Sequence, residues 1–355
     1  MYIITGSTGL IGSSASEYFL KKGIKVLGID NDLRSYFFGK NFSKKLKKKI
    51  LKQNKLYTHY ETDIRNKEKI FEIFKNNRNK IKAIIHTAAQ PSHDWAAKEP
   101  FTDFDVNANG TLNLLEAFRK YCPNASFIFT STNKVYGDTP NFLPLNEKKL
   151  RYELKKNHKY FIKGIDENMS IDHTTHSLFG ASKTSADLLV QEYGRYFNLN
   201  TACFRGGCLT GENHSGAKLH GFLSFLVKTI VNDKKYSIYG YKGKQVRDNI
   251  HSLDVTRAFH EFIKKPRVGG KVYNLGGGRE NSCSILEAIS LIEKISKKKC
   301  NYKILTQNRI GDHLWWISDN SKFKKDYPKW KIKVTLKQSL KQMVQFEINY
   351  IKQQS

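Results

Sequence analysis

The stretch Met1-Tyr-Ile-Ile-Thr-Gly-Ser-Thr-Gly-Leu-Ile-Gly12 decides how this chain reads: a short apolar strand, glycines at 6, 9 and 12, and a periodic apolar run over residues 10–20. In a strand–turn–helix unit, Gly6 permits the tight turn, Gly9 lets the backbone close on a pyrophosphate, and Gly12 lets helix and strand pack tightly. The first helical turn, with Leu10 and Ile11, offers amides to an anion. A glycine triplet alone would decide little, because glycines punctuate many turns. Here a second apolar strand, 25–29, follows and ends in Asp30, at the distance where an acid meets the adenosine ribose diol. An acid there favours NAD over NADP, whose extra phosphate it would repel. Asn31 belongs to the same edge, and Arg34 lies close enough to soften the preference.

With 355 residues the chain can bury a sizeable core, and one large α/β domain with a smaller lobe is expected. No stretch approaches the length of a membrane span and the sequence begins directly on its first strand, so a cytoplasmic protein is expected. The five cysteines, Cys122, Cys203, Cys208, Cys283 and Cys300, are scattered and lack metal-ligand spacing, which argues for reduced thiols and no metal site. The net charge of +29 would draw polyanions, from nucleic acid to membrane to sugar nucleotides. Most lysines are spread over helical segments among Asn and Ile. Only Lys44-Lys-Leu-Lys-Lys-Lys-Ile-Leu-Lys52 is dense, and it reads as a solvated insertion helix in preference to a nucleic-acid groove.

Strand-like runs follow at 56–61, 81–86, 126–131, 201–205 and 271–275, with helical patterns at 67–75, 102–121 and 182–197. Strands alternating with helices imply right-handed crossovers and a doubly wound parallel sheet, in which ligands gather at the carboxyl ends of the strands. The suggestive residues fall at such ends. Asp63 and Ile64 close the third strand, where a carboxylate accepts from an adenine amino group and an isoleucine packs on the ring; Asp63 as a helix N-cap is an equal alternative. Ala88, Ala89 and Gln90 end the fourth strand with room for close backbone approach, and the loop continues through His93 and Asp94. Asn107 lies in an amphipathic helix, either buried or at its surface. The fifth strand runs into Ser131, Thr132 and Asn133, a hydroxyl cluster suited to a sugar hydroxyl or carbonyl oxygen, or merely to nearby backbone.

These residues resemble the extended short-chain dehydrogenase/reductase family, and within it the nucleotide-sugar epimerases. The resemblance rests on Gly6, Gly9, Gly12, Asp30, Asp63-Ile64, Ala88-Ala89, Asn107, Ser131-Thr132, Tyr136-Gly137, Lys183, and the late stretch Gly240-Tyr-Lys-Gly-Lys-Gln-Val-Arg-Asp248 with His251 and Asp254. The wording Ser131-Thr-Asn-Lys-Val-Tyr-Gly-Asp138 and Gly243-Lys-Gln-Val-Arg-Asp248 is most similar to the branch of CDP-tyvelose (CDP-paratose) 2-epimerases. The resemblance implies a Rossmann sheet, tightly held NAD, and a hydride taken from a sugar carbon while a tyrosinate removes the hydroxyl proton. The flat keto-sugar then turns over and is reduced on its other face. It also implies a lysine, Lys183, that bonds the nicotinamide ribose and depresses the phenol pKa, and Ser131 or Thr132 polarising the carbonyl oxygen.

The tyrosine position of this family is Phe179, and a phenyl ring takes no proton. General-base assistance is typically worth ~100- to 10,000-fold. Three accounts follow. Another residue serves as base, with His93, Asp94 and His176 as candidates, since an imidazole suits the task near neutrality. Alternatively, Lys183 or the Ser131 and Thr132 hydroxyls handle the proton in another oxidoreduction or a dehydration; Asn133, standing where a 4,6-dehydratase would have its acid, counts against dehydration. In the third, redox chemistry is lost and the fold binds a nucleotide or RNA.

At the substrate end, Cys208 falls where relatives place a small polar group. Asn213 and His214 resemble the loop that closes over the nucleotide, and Tyr239 and Tyr241 can stack on a pyrimidine. Arg247 is expected on the substrate diphosphate, with a surface ion pair to Asp248 or another acid as its alternative. Arg309 and Asp312 resemble a second clamp, on phosphate and ribose. The expected organisation is a NAD-binding domain at 1–205 and 251–299, a substrate lobe at 206–250 and 300–335, and a C-terminal helix at 336–355. A homodimer through the helices starting near Phe101 and Ser182 is implied by the resemblance, as is a CDP-linked sugar as partner.

Overall fold

The computed structural model describes residues 1–39, 43–211, 221–308 and 311–352. Two compact units emerge: one from Met1–Val135, Ser177–Arg205 and Val255–Tyr273, the other from Tyr136–His176, Gly206–Asp254 and Asn274–Ser355.

The first unit is built on a seven-stranded sheet. Its strands are β1 (Tyr2–Thr5), β2 (Val26–Ile29), β3 (Tyr57–Tyr60), β4 (Ala83–His86), β5 (Ser126–Thr132), β8 (Asn200–Gly206) and β12 (Lys271–Leu275), ordered β12-β8-β5-β4-β1-β2-β3. The pairs β1–β2, β1–β4, β2–β3 and β4–β5 are parallel. Runs such as Ile3-Ile4 and Ile84-Ile85 are wholly buried because both faces of such a sheet are covered. The helices are α1 (Leu10–Leu20), α2 (Leu33–Phe38), α3 (Lys45–Lys52), α4 (Lys67–Asn77), α5 (His93–Lys98), α6 (Pro100–Phe104), α7 (Gly110–Tyr121), α8 (Ser177–Tyr196) and most of α10 (Ser252–Lys264). On one face, Ile70 and Phe74 of α4 and Leu114, Leu115 and Phe118 of α7 close a core over Ile3, Ile84 and Phe127.

The second unit has a different core. Helices α9 (Phe222–Val231), α11 (Ile285–Ser296) and α13 (Leu336–Lys352) pack Leu226, Ile230, Ile292, Leu340 and Val344 together with Ile238 of the parallel pair β10 (Tyr236–Tyr239) and β14 (Tyr302–Leu305). A small sheet joins β11 (Val246–His251) to β9 (Cys208–Thr210), β13 (Ser282–Ser284) and β15 (Trp315–Trp316), while β6 (Leu145–Glu147) and β7 (Tyr152–Leu154) form a hairpin. A short helix, α12 (Ser321–Asp326), precedes the C-terminal segment. Trp315 and Trp316 are fully buried in this unit.

The unit boundaries differ from the expected domain bounds. Residues 274–299 and the C-terminal helix group with the second unit, because α11 and α13 bury their apolar faces against α9. Residues 136–176 join them, since Tyr136 donates to Asn274 Oδ1 (2.8 Å) and stacks on Trp316 (5.4 Å between centroids). The helical pattern expected over 102–121 is a composite of α6, a π-helical turn at Asp105–Asn109 and α7.

The nucleotide turn is the tightest part of the fold. Gly6 takes φ +63°, and a Cβ there would lie 2.7 Å from the Ala88 amide nitrogen; a Cβ on Gly12 would lie 2.0 Å from the Gly6 carbonyl oxygen. Only glycine fits either place. Gly12→Ala is therefore expected to lower the unfolding free energy by about 1–3 kcal/mol or more, read from urea unfolding followed by circular dichroism.

Candidate active site

The glycine loop is pinned from two sides. At the end of β2, Asp30 Oδ2 accepts from the Thr8 amide (2.9 Å) and the Thr8 hydroxyl (2.7 Å), and its Oδ1 accepts from the Asp32 amide (2.9 Å). Ser7 is buried, its Oγ 2.9 Å from the hydroxyl of Tyr57 on β3. That hydroxyl reaches across β2 where Gly28 has no side chain; a Cβ there would lie 2.1 Å from it. Sequence reading missed Ser7, Gly28 and Tyr57, because nothing in their spacing says that a β3 side chain crosses under the loop. The loop, the first turn of α1 with Leu10 and Ile11, and Asp30 at the strand end together fit a dinucleotide: open amides for its pyrophosphate and a carboxylate for its ribose.

Around this edge the structure places the remaining expected cofactor residues. Asn31 Nδ2 donates to Asp63 Oδ2 (2.9 Å), and Arg65 donates to the same carboxylate through its amide and guanidinium. Burial opposes the Asp63 charge, but these bonds prevail and hold its pKa below the ordinary value. The N-cap of α4 is Asn66, which accepts from the Lys69 amide, and not Asp63. Ile64 is buried beneath Gly110, whose missing Cβ would lie 2.7 Å from it. Burial lowers the Arg34 pKa to about 10 and that of Lys44 to about 8, with Asp32 opposing both.

At the end of β4, Ala88 donates to Thr5 Oγ1 (3.3 Å), and Ala89 continues into a loop held by Asn107. The π-helical turn carries Asn107 inward, fully buried, where it accepts from the Gln90 amide (3.0 Å) and donates toward the Gln90 carbonyl, Asp103 and Ser182 (3.1 Å each). Gln90 is buried as well, donating to Asp103 Oδ1 at 2.7 Å. Both side chains thus shape the loop from within.

The expected catalytic residues Ser131, Thr132, Phe179 and Lys183 lie where β5 meets α8. Ser131 donates to Asp187 Oδ2 (2.5 Å), and Asp187 is gripped by Arg205 from β8 at 2.8 and 3.2 Å. All three are buried. The Ser131 hydroxyl is thus directed to Asp187, and of the two hydroxyls expected to polarise a carbonyl oxygen Thr132 lies outside this pair. Thr132 is half-buried, accepting from the Lys134 amide (3.2 Å) and donating toward Asn133 Oδ1 (3.4 Å). Lys183 is buried under the strand end, donating to the Thr130 carbonyl (3.0 Å) with its ammonium 4.0 Å from the Phe129 ring centroid. Burial lowers its pKa to about 8, against the pull of Asp187. Phe179, one turn earlier, is 7% exposed and meets the His93 ring edge to face at 4.9 Å. His93 Nδ1 lies 2.9 Å from Ser177 Oγ. Asp94 is exposed, and His176 belongs to the second unit.

In the second unit, Arg247 pairs with Asp312 and also donates to the Val246 carbonyl (2.7 Å). Asp248 is not its partner: it is buried, accepting from the amides of Gly278 (3.0 Å) and Ser318 (2.9 Å). Burial raises the Tyr241 pKa, with Asp312 adding to it and Arg247 opposing. Tyr239 ends β10, and Cys208, half-buried on β9, pairs in register with Asn249. Asn213, His214 and Arg309 lie outside the described residues. Among the described residues no three His, Cys, Asp or Glu side chains gather as a metal site would require, and no helix is long and apolar enough to cross a membrane.

The description "NAD dependent epimerase/dehydratase family" matches residues 2–276. The chain belongs to this family. It is 32% identical over 352 residues to the CDP-paratose 2-epimerase of Salmonella typhi, covering 96% of this chain and 97% of that protein. The UDP-glucuronate 4-epimerase of Thermodesulfobacterium geofontis is 28% identical over 344 residues, 97% of this chain and 94% of its own. Among solved structures, the UDP-glucose 4-epimerase of Thermotoga maritima with UDP-glucose superposes with a TM-score of 0.79 at 26% identity, covering 99% of each chain. NAD is thus the cofactor, and the glycine loop with Asp30 is the part of this chain that fits it.

Sequence reading also missed the Asp187–Arg205 pair, which no motif marks; Asp187 lies four residues after Lys183, on the same helix face. Asp187→Ala strands the buried Arg205 charge and is expected to cost about 3–5 kcal/mol in urea unfolding. Lys183 gives a pH signature. Its folded pKa of about 8 lies below the ordinary 10.5, so the unfolded chain binds more protons between those values. The cofactor-free protein therefore gains stability from this group as pH rises through that window. Unfolding measured from pH 7 to 10 should show that gain removed in Lys183→Met.

Proposed function

We propose that this protein is a NAD-dependent nucleotide-sugar epimerase that inverts carbon 2 of a CDP-hexose through a transient keto-sugar. The observation that carries the reading is Lys183, buried beneath the Thr130–Thr132 strand end in the same unit as the glycine loop and Asp30. When bound, NAD supplies a hydride acceptor and then the donor. The residues of this chain do the rest: Asp30 and the loop amides hold the cofactor, Lys183 meets its nicotinamide ribose, and Thr132 holds the sugar oxygen. Ser131, locked to Asp187, fixes the strand end on which Thr132 stands. In the second unit, Arg247 with Asp312 and Tyr241 takes the nucleotide: guanidinium on diphosphate, phenol ring on pyrimidine.

The likeness to CDP-paratose 2-epimerase supports the CDP-linked sugar and position 2. Inversion at carbon 4 of a UDP-sugar is the second reading, favoured by the two UDP-sugar relatives. Exposed Phe101 (86%), Leu188 (42%) and Tyr196 (82%) support a homodimer through α6–α7 and α8, and the free thiols fit a reducing compartment such as the cytoplasm.

The test is NMR of CDP-, GDP- and UDP-hexoses incubated with the purified protein in deuterated water. The expected outcome is a carbon-2 epimer of a CDP-hexose that keeps its carbon-bound hydrogen. Deuterium at the inverted carbon, or inversion at carbon 4 of a UDP-hexose alone, would overturn the reading.

A further inference from the structure

We infer that His93 is the catalytic base that replaces the missing phenol, with Ser177 as the residue that positions it; the inference rests on the epimerase reading above. His93 opens α5, and Phe179 lies in the first turn of α8. Their rings meet at 4.9 Å between centroids and 62° between planes, so the imidazole flanks the very ring that lacks a hydroxyl. Lys183 follows Phe179 by four residues and is buried on the same helix. The imidazole thus packs against the helix that carries Lys183.

Ser177 supplies the independent observation. It adopts φ +61°, a conformation that L-residues with side chains seldom take, at the first position of α8. In that conformation its Oγ accepts from the Gly180 amide (3.3 Å) and lies 2.9 Å from His93 Nδ1. The second lone pair of the Ser177 hydroxyl can accept from Nδ1–H, and in that tautomer the basic lone pair stands on Nε2. The other candidates are placed differently. Asp94 is exposed. His176 stands near Asp138 in the second unit, whose carboxylate is held low first by the Thr174 hydroxyl and also by the His176 charge.

The step balances as follows. The sugar O–H bond breaks and its proton bonds to Nε2, giving an imidazolium. The electron pair left on oxygen forms the carbonyl as the carbon gives up its hydride, for which NAD is the oxidant. After the ketone turns over, the hydride returns to carbon and the imidazolium returns the proton to oxygen.

His93→Gln should lower kcat about 100- to 10,000-fold with the Kd for NAD unchanged by calorimetry. Adding Phe179→Tyr to that variant should recover at least tenfold. Ser177→Ala should lower kcat more than it changes KM. In ¹⁵N-histidine spectra of the NAD-loaded protein, His93 should report the Nδ1–H tautomer, and Ser177→Ala should move it toward Nε2–H. A His93→Gln enzyme with undiminished turnover, or a wild-type His93 protonated on Nε2, overturns the assignment of the base while the epimerase reading stands. A wild type that turns over no nucleotide sugar, with the tautomer as expected, overturns the epimerase reading instead.

Discussion

One buried ion pair, Asp187 with Arg205, ties α8 to the strand ends of the sheet. Asp187 on α8 takes two bonds from Arg205 on β8 and one from Ser131 on β5, all out of water. Two charges so placed forfeit their hydration, and they persist because the geometry satisfies them with a forked guanidinium and a hydroxyl. The consequence is positional. Helix α8 carries Ser177, Phe179 and Lys183, so fixing its inner face against the strand ends fixes the height of all three. Remove the carboxylate and the buried guanidinium loses both of these bonds.

The cofactor end is governed by close packing. Backbone meets backbone at Gly6, Gly12 and Ala88, at separations that leave no room for a methyl group. The Tyr57 hydroxyl threads past Gly28 to reach Ser7. The loop is therefore shaped before any ligand arrives, which spares binding the cost of ordering it. Beside the glycine loop, the carboxylates of Asp30, Asp32 and Asp63 act on Arg34, Lys44 and Arg65. An acid at position 30 disfavours an extra ribose phosphate, while the neighbouring cations keep the edge from being uniformly repulsive to the pyrophosphate.

Phe179 turns an ordinary family site into an informative one. A phenyl ring keeps the packing of the helix start but leaves the proton without a carrier. The surrounding residues, a histidine against that ring and a serine in a left-handed conformation, are what a chain needs if acid–base work passes to an imidazole. The lysine run of α3 makes local pairs such as Lys48 with Glu61.

The sequence by itself determined the sheet. Glycine spacing, Asp30 and the alternation of apolar strands with periodic helices are local signals, and the strands at residues 2–5, 83–86 and 271–275 lie where those signals placed them. The candidate residues could be named from glycine spacing, strand ends and the family resemblance. Their bonding could not be, because it depends on pairs far apart in the chain: Ser131 with Asp187, Ser7 with Tyr57, Arg247 with Asp312. Periodicity also saw one helix over 102–121, whereas a π-helical turn, worth a single extra residue, rotates Asn107 inward. Tertiary structure alone decided the unit boundaries, since only packing says which apolar helix face covers which. It alone also brought the His93 ring against Phe179, 86 residues away in the chain.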